Sequence, residues 1–294
     1  MEELENWKKA GKVASQVRDY AKDLITPGAS LLAVTEMIEK KIYELGAEPA
    51  FPVTLSLNEV SAHYSADFND KTIIQDNDVV KVDIGTMVDG YIGDTAITID
   101  LSGKYNDLLL ASQEALNEAI KIAKAGTKLS DIGKAIQTAI EKRGFSPIKN
   151  LTGHGIERFD SHCSPSVPNY ETSSDEVLLP GTIIAIEPFA TDGKGLIKET
   201  NHSTIFSQII NKPVRDLTSR KILKEIEKYN GLPFNYRWLG EKFSEGQVKL
   251  GIRLLMQAGI LKDHPPLPEV NNGMVSQFEH TLYIGEDETI VLTK

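Results

Sequence analysis

The sequence predicts an α+β protein of two pseudo-symmetric halves, with strands facing a central cleft, helices outside and a helical segment inserted late in the chain. Three observations carry this expectation. The chain repeats itself once, each copy is followed by strand-like sequence bearing acidic residues, and one helical stretch has no counterpart in the repeat.

The repeat pairs GASLLAVTEMIEKKIYELGAEP (Gly28 to Pro49) with GTKLSDIGKAIQTAIEKRGFSP (Gly126 to Pro147), 98 positions apart. Gly28 and Gly126, Leu31 and Leu129, Ile38 and Ile136, Ile42 and Ile140, Gly46 and Gly144, and Pro49 and Pro147 coincide. Both copies carry apolar residues at helical spacing, a Ser or Thr near the start, and Gly then Pro after the end. Any two amphipathic helices look alike, but six identities with matching punctuation favour duplication. A helical stretch precedes each copy, roughly 2–25 and 106–124. Pro213 to Leu261 is mainly helical and unmatched, so residues 206–264 read as an inserted helical subdomain. The main two-half domain is expected to comprise 1–205 and 265–294. The chain then returns to a strand, Gly273 to Ile284, a turn and a last strand.

Composition narrows the function. The 294 residues are 40% hydrophobic and 25% charged, enough for a large core. A net charge of −10 and a pI near 5.2 argue against nucleic acid as partner, since no basic stripe emerges. The single cysteine, Cys163, excludes an intrachain disulfide framework and fits a reducing compartment. There is no secretory h-region and no apolar run near the ~20 residues that span a bilayer. A soluble cytoplasmic protein without membrane contact is the expectation.

Residues 78–99, DVVKVDIGTMVDGYIGDTAITI, read as a β-hairpin turning at Asp89-Gly90. With those two residues as the loop, Val88 opposes Tyr91, Asp94 opposes Gly85 and Asp83 opposes Ala96. Both aspartates then point to one face, opposite small residues that leave room for an ion. Val80, Val82 and Ile84 point to the other face, where a helix can cover them. Exposed aspartates on a hairpin are ordinary, but here no cation shares the face except Lys81 at its end.

Three further residues join this pair. Glu187 ends the strand TIIAIEPF among apolar neighbours. Glu279, in MVSQFEHTLYI, shares a face with Val275, Gln277, Thr281 and Tyr283, which places His280 on the other face as a packed histidine. His154 lies between glycines in NLTGHGI, which suits a ligand projecting from a loop or strand end. Four carboxylates and one imidazole gathered in one place repel each other until cations neutralise them, an oxygen-rich hydrolase site rather than a structural zinc knot. His63 and His162 sit in polar, loop-like settings. Cys163 beside His162 lacks the geometry of a nucleophile triad. P-loop, dinucleotide-binding, HExxH and CxxC motifs are absent.

The ordered set Asp83, Asp94, His154, Glu187 and Glu279, within KVDIG, GDTA, TGHGI, AIEPFAT and QFEHT, resembles the pita-bread metallopeptidases. Within them the match is to the type 2 methionine aminopeptidases in their short archaeal form. The resemblance covers essentially the whole chain, including FPVTLSLNEVSAHY and LPFNYRWL, and about ninety residues between Glu187 and Glu279 fit the type 2 insertion. It implies a pita-bread fold with a central antiparallel sheet and two divalent ions drawn from Co, Mn, Fe or Zn. Asp83 would bind one ion, Asp94 and Glu279 both, and His154 and Glu187 the second. A water or hydroxide between them would attack the scissile carbonyl. His63 and His162 match substrate-side histidines, and Phe51 matches a pocket residue for the methionine side chain. The substrate would be a nascent polypeptide N-terminus with a small second residue, the enzyme a monomer, and the ribosome a further candidate partner. One position departs: His264 stands where the family usually has tyrosine at the pocket rim, which touches substrate preference and not the metals.

Two rivals share the fold. X-Pro peptidases carry a large extra N-terminal domain, whereas only 82 residues precede Asp83. Non-catalytic ribosome- or protein-binding relatives have lost metal ligands, and all five positions are intact here.

Overall fold

Residues 2–294 are described by a computed structural model, and the two copies of the repeat fold alike. The first half runs α1 (Glu2–Leu24), α2 (Leu31–Glu44), β1 (Glu48–Pro49), β2 (Thr54–Leu57), β3 (Val79–Val88) and β4 (Tyr91–Asp100). The second runs α3 (Asn106–Ile122), α4 (Leu129–Lys142), β5 (Ser146–Pro147), β6 (Thr152–Glu157), β7 (Asp160–Pro168), β8 (Ile183–Ile186) and β9 (Phe189–Thr191). Helices α2 and α4, and strands β1 and β5, keep the 98-residue offset at both ends. The shared glycines have a backbone reason. Gly28 and Gly126 sit at φ +87° and +83°, and each donates its N–H at 2.8 Å to a carbonyl of the segment crossing the helix start, Ile74 and Leu178. Gly46 and Gly144 leave their helices at φ +77° and +82°.

All strand pairs are antiparallel among the described residues. The β3/β4 hairpin has the expected register: Asp83 faces Ala96, Gly85 faces Asp94, and Val88 faces Tyr91. Its apolar face, Val80, Val82 and Ile84, is buried with Val17 and Ala21 of α1 and Ile38 and Ile42 of α2. In the second half Ile184, Ile186, Leu282 and Ile284 bury against Ala111, Ile132, Ile136 and Ile140 of α3 and α4. Fully burying such side chains contributes about 1.5–3 kcal/mol each.

After β9 the chain forms β10 (Ile205–Gln208), α5 (Leu217–Ile226), β11 (Phe234–Asn235), α6 (Glu245–Gln257) and β12 (Leu261–Asp263). The helices expected here are thus joined by a three-stranded sheet in the order β11-β10-β12, and Phe206, Ile222, Phe234, Val248 and Leu255 make a local core. A buried contact ties this region to α2. The Arg237 guanidinium lies 2.9 Å from Glu39, and Trp238 Nε1 donates to the same carboxylate at 3.0 Å. Burial nevertheless pushes the Glu39 carboxyl up more than Arg237 pulls it down, as desolvation of buried ion pairs leads one to expect.

The final strands are β13 (Val275–Gln277), β14 (His280–Ile284) and β15 (Thr289–Val291). The single strand expected over 273–284 is therefore interrupted at Phe278 and Glu279. Its partner is interrupted at the same level, between β8 and β9, at Glu187 and Pro188. Pro188 has no N–H to give a ladder, and the gap frees both glutamates from pairing. The halves are stitched beside it: Thr281 Oγ1 accepts the Asp94 N–H at 2.8 Å and donates to its carbonyl at 2.7 Å, while the Glu279 N–H donates to the Ala96 carbonyl at 3.0 Å. No helix is long and apolar enough to cross a membrane among the described residues.

Candidate metal centre

A cleft of about 530 Å³ opens between the halves, and all five sequence-derived carboxylate and imidazole residues line it: Asp83, Asp94, His154, Glu187 and Glu279. Asp94, His154 and Glu279 present donor atoms within 4.8 Å of one another, and these residues are 3%, 6% and 2% exposed. Glu187 Oε1 lies 3.6 Å from His154 Nε2, and Asp94 Oδ2 lies 3.9 Å from it. Asp83 stands outside the tight trio but repels Asp94, Glu187 and Glu279 from the same cleft.

His154 is in β6, inside a five-stranded sheet, and not in a loop. Its flanking glycines explain how. A Cβ on Gly153 would meet the Ala185 carbonyl at 2.3 Å, and one on Gly155 the Ser164 carbonyl at 2.1 Å. The register of β6 against β7 shifts at His154/Gly155. Such a bulge re-aims a side chain. His162 likewise belongs to a strand, β7.

The electrostatics are those of a cation site. Burial pushes all four carboxyls up, Asp83 to about 7 and the others well above their ordinary range, and mutual repulsion adds to this for Asp94, Glu187 and Glu279. Burial holds His154 down to about 3, so its imidazole is neutral and free to donate a lone pair. Asp83 Oδ1, Asp94 Oδ1 and Glu279 Oε2 are buried without a hydrogen-bond partner. Buried polar atoms are nearly always paired, and three acceptor oxygens around one neutral imidazole fit a divalent cation.

One expectation is corrected. The space beside Asp94 at Gly85 is not left for an ion: a Cβ there would lie 2.2 Å from the Phe51 ring. Glycine at 85 lets that aromatic ring into the cleft, so the small residue serves the apolar pocket. The other substrate-side residues also line the cleft. His63 adopts φ +66°, its Nδ1 is buried without a partner, and its ring meets that of His264 edge-on at 6.0 Å. The His162 ring stacks on that of His154 at 4.2 Å. Burial pushes His63 and His264 down to about 4 and His162 below its usual value. His264 is no exposed loop residue; its Nε2 lies 2.9 Å from Ser207 Oγ. His280 faces away from the cleft, its Nδ1 against Thr293 Oγ1 at 2.8 Å, as strand alternation suggested.

Sequence reasoning passed over two features. The Gln277 amide donates to Glu187 Oε2 at 3.3 Å and also counters the rise of Asp83; alternation had put Gln277 on the Glu279 face, but an amide did not stand out among acids. The second is the wall opposite the hairpin. Ile205, Ser207 and Ile209, with Lys262 and His264, line the cleft, while Phe206 and Leu261 turn into the local core. The period of two in IFSQI was its signal.

Comparison with known proteins points the same way. The profile of metallopeptidase family M24 matches residues 5–286. The methionine aminopeptidase of Pyrococcus abyssi is 46% identical over 287 residues, covering 97% of each chain. That of Methanocaldococcus jannaschii is 44% identical, covering 99% of this chain and 100% of its own. Among solved structures, methionine aminopeptidase from Thermotoga maritima superposes with a TM-score of 0.73 at 24% identity, over 100% of this chain and 97% of its own. A thermophilic Arx1 reaches a TM-score of 0.87 at 18% identity, over 99% and 90%. Prolidase from Pyrococcus furiosus gives 0.65 at 20% identity, over 100% of this chain but 64% of its own. At these identities the three structures share the fold alone.

Proposed function

Because the chain belongs to metallopeptidase family M24, we infer that it is a methionine aminopeptidase working with two divalent ions in the acidic cleft. The observation that carries this reading is the cluster of four carboxylates and one neutral imidazole in the cleft, three of whose carboxylate oxygens are buried without partners. Asp83 would hold one ion, His154 and Glu187 the other, and Asp94 and Glu279 both. The close approach of Asp94, His154 and Glu279 donor atoms supports the shared roles. The oxygen-rich donor set suits Co, Mn, Fe or Zn. When bound, such ions polarise a scissile carbonyl and lower the pKa of water.

The chain's own residues do the rest. Asp94 and Glu279 are fixed through backbone bonds to the opposite half, so their carboxylates are aimed before substrate arrives. His63 and His162 are neutral at pH 7 and face the cleft; one nitrogen of each can accept a proton and the other give one to the leaving amide. Phe51 offers its ring to the methionine side chain. The substrate is the N-terminus of a nascent polypeptide with a small second residue, met in the cytoplasm by a monomer, with the ribosome as supplier. Residues 206–264 form the inserted subdomain, and 1–205 with 265–294 the catalytic domain.

The test is metal-free protein reconstituted with Mn²⁺, Co²⁺, Fe²⁺ or Zn²⁺ and offered Met-Ala-Ser and an X-Pro dipeptide. Methionine release with two bound ions at saturation is expected. Cleavage of the X-Pro dipeptide without methionine release would favour the X-Pro peptidase reading. Binding far below two ions with no activity would favour a binding protein.

A further inference from the structure

The cleft is electrically lopsided. Its floor holds four carboxylates, while the wall from β10 and β12 carries Lys262, the one cationic side chain lining the cleft among the described residues. Lys262 is opposite Ser207 in the β10/β12 register, and cross-strand partners share a face. Ser207 lines the cleft and meets His264 there, so the ammonium projects from the same surface. Its charge helps to hold down His63, His162 and His264, which line the same cleft. These imidazoles are neutral near pH 7 and do not compete with it for an anion. The carboxylate on that side, Asp160, receives the His162 backbone N–H at 3.1 Å. Lys262 is exposed, whereas Asp94 and Glu279 are buried and Asp83 and Glu187 half-buried; it therefore stands at the mouth.

We propose that Lys262 is a specificity residue that binds a carboxylate of the substrate downstream of the scissile bond. The assignment rests on the aminopeptidase reading: with the substrate's amino end at the acidic floor, the following residues leave through the mouth, past β12. Two sources share this chemistry, the terminal carboxylate of a short peptide and an Asp or Glu side chain in the third position.

Three peptides separate them: Met-Ala-Ser, its C-terminal amide, and Met-Ala-Asp amide. Wild-type enzyme should prefer the free acid over the Ser amide by about three- to five-fold in kcat/KM, the scale of a solvent-exposed ion pair, carried by KM and weakened by salt. Lys262→Met should bring that ratio to about one, and Lys262→Arg should keep it. Preference for Met-Ala-Asp amide over Met-Ala-Ser amide assigns the site to the side chain as well; its absence limits the site to chain ends. Equal rates for acid and amide in the wild type, or a ratio untouched in Lys262→Met, would overturn the proposal. Failure to release methionine from any of the three would overturn the aminopeptidase reading and this assignment with it.

Discussion

Two ladders in this molecule do similar work with very different connections. Strands β3 and β4 are joined by the two residues Asp89 and Gly90, both at positive φ, +52° and +88°. Strands β8 and β14 pair just as regularly, His280 opposite Ile186, yet about ninety residues separate them. Loop closure entropy grows only slowly with length, so the second ladder tolerates its long excursion. The two differ in where the acids sit. Asp83 and Asp94 lie within an unbroken ladder, whereas Glu187 and Glu279 occupy a gap in theirs. The long connection also does what a tight turn cannot: it returns β10 and β12 as a wall of the cleft.

The largest effect should come from the carboxylates that reach across the halves. Asp94→Ala or Glu279→Ala should lower kcat/KM at saturating metal by at least about a hundred-fold. Near-normal methionine release by either variant would mean that the two ladders do not share a metal centre.

Next comes the tie between the inserted region and the body. Glu39→Ala takes the buried carboxylate from the half-buried Arg237 guanidinium, which keeps Glu36 and the Ala66 carbonyl, and from the indole N–H of Trp238. A loss of about 2 kcal/mol in urea unfolding is expected, and KM should rise as the wall loosens. Unchanged stability would show that the wall is held from elsewhere.

The third test compares metal-free and metal-loaded protein across pH. In the fold Asp83 titrates near 7 rather than at its ordinary 3.8, so the folded state binds this proton more tightly than the unfolded chain. Its contribution to stability is present below about pH 4 and lost as pH rises through 7. Metal-free Asp83→Asn should therefore melt above the wild type by a margin that opens between those values. Saturating Mn²⁺ should reverse the order. A margin independent of pH would show that Asp83 carries no such penalty.

The smallest effect probes the duplication. A Cβ at Gly28 or Gly126 would meet nothing within 4 Å, so alanine there suffers only from positive φ. Each substitution should cost about 1 kcal/mol, and the two costs should match. A large difference in thermal unfolding would mean that the copies have diverged in what they support.

The first ladder was legible because its information is local. A two-residue turn fixes parity, and parity fixes the face of Asp83 and Asp94. The second was read only in part, since the break opposite Pro188 arises from a partner strand that alternation within 273–284 does not reveal. The repeat located the four helices and the glycines and prolines that punctuate them, while the helix ends at Leu24 and Ile122 fell a residue or two short of the expected ones. The use of Gly85 was missed because it depends on Phe51, which lies outside the hairpin. Ser207 and Lys262 were missed because small polar and lysine residues on a short strand look like ordinary surface until the register shows what they face.

The paired hydrogen bonds between Thr281 and Asp94 join positions 187 apart in the chain. Contacts of such separation carry a large loop-closure cost and are slower to form than local hairpins and helices. The β3/β4 hairpin can thus exist for a time with its two carboxylates bare to solvent, harmless because water screens them. Only when the Thr281 strand docks are they desolvated and brought against Glu187 and Glu279. The acidic cluster is therefore complete only once that long-range contact has formed, and divalent cation present then should favour the docked state as well as occupy it.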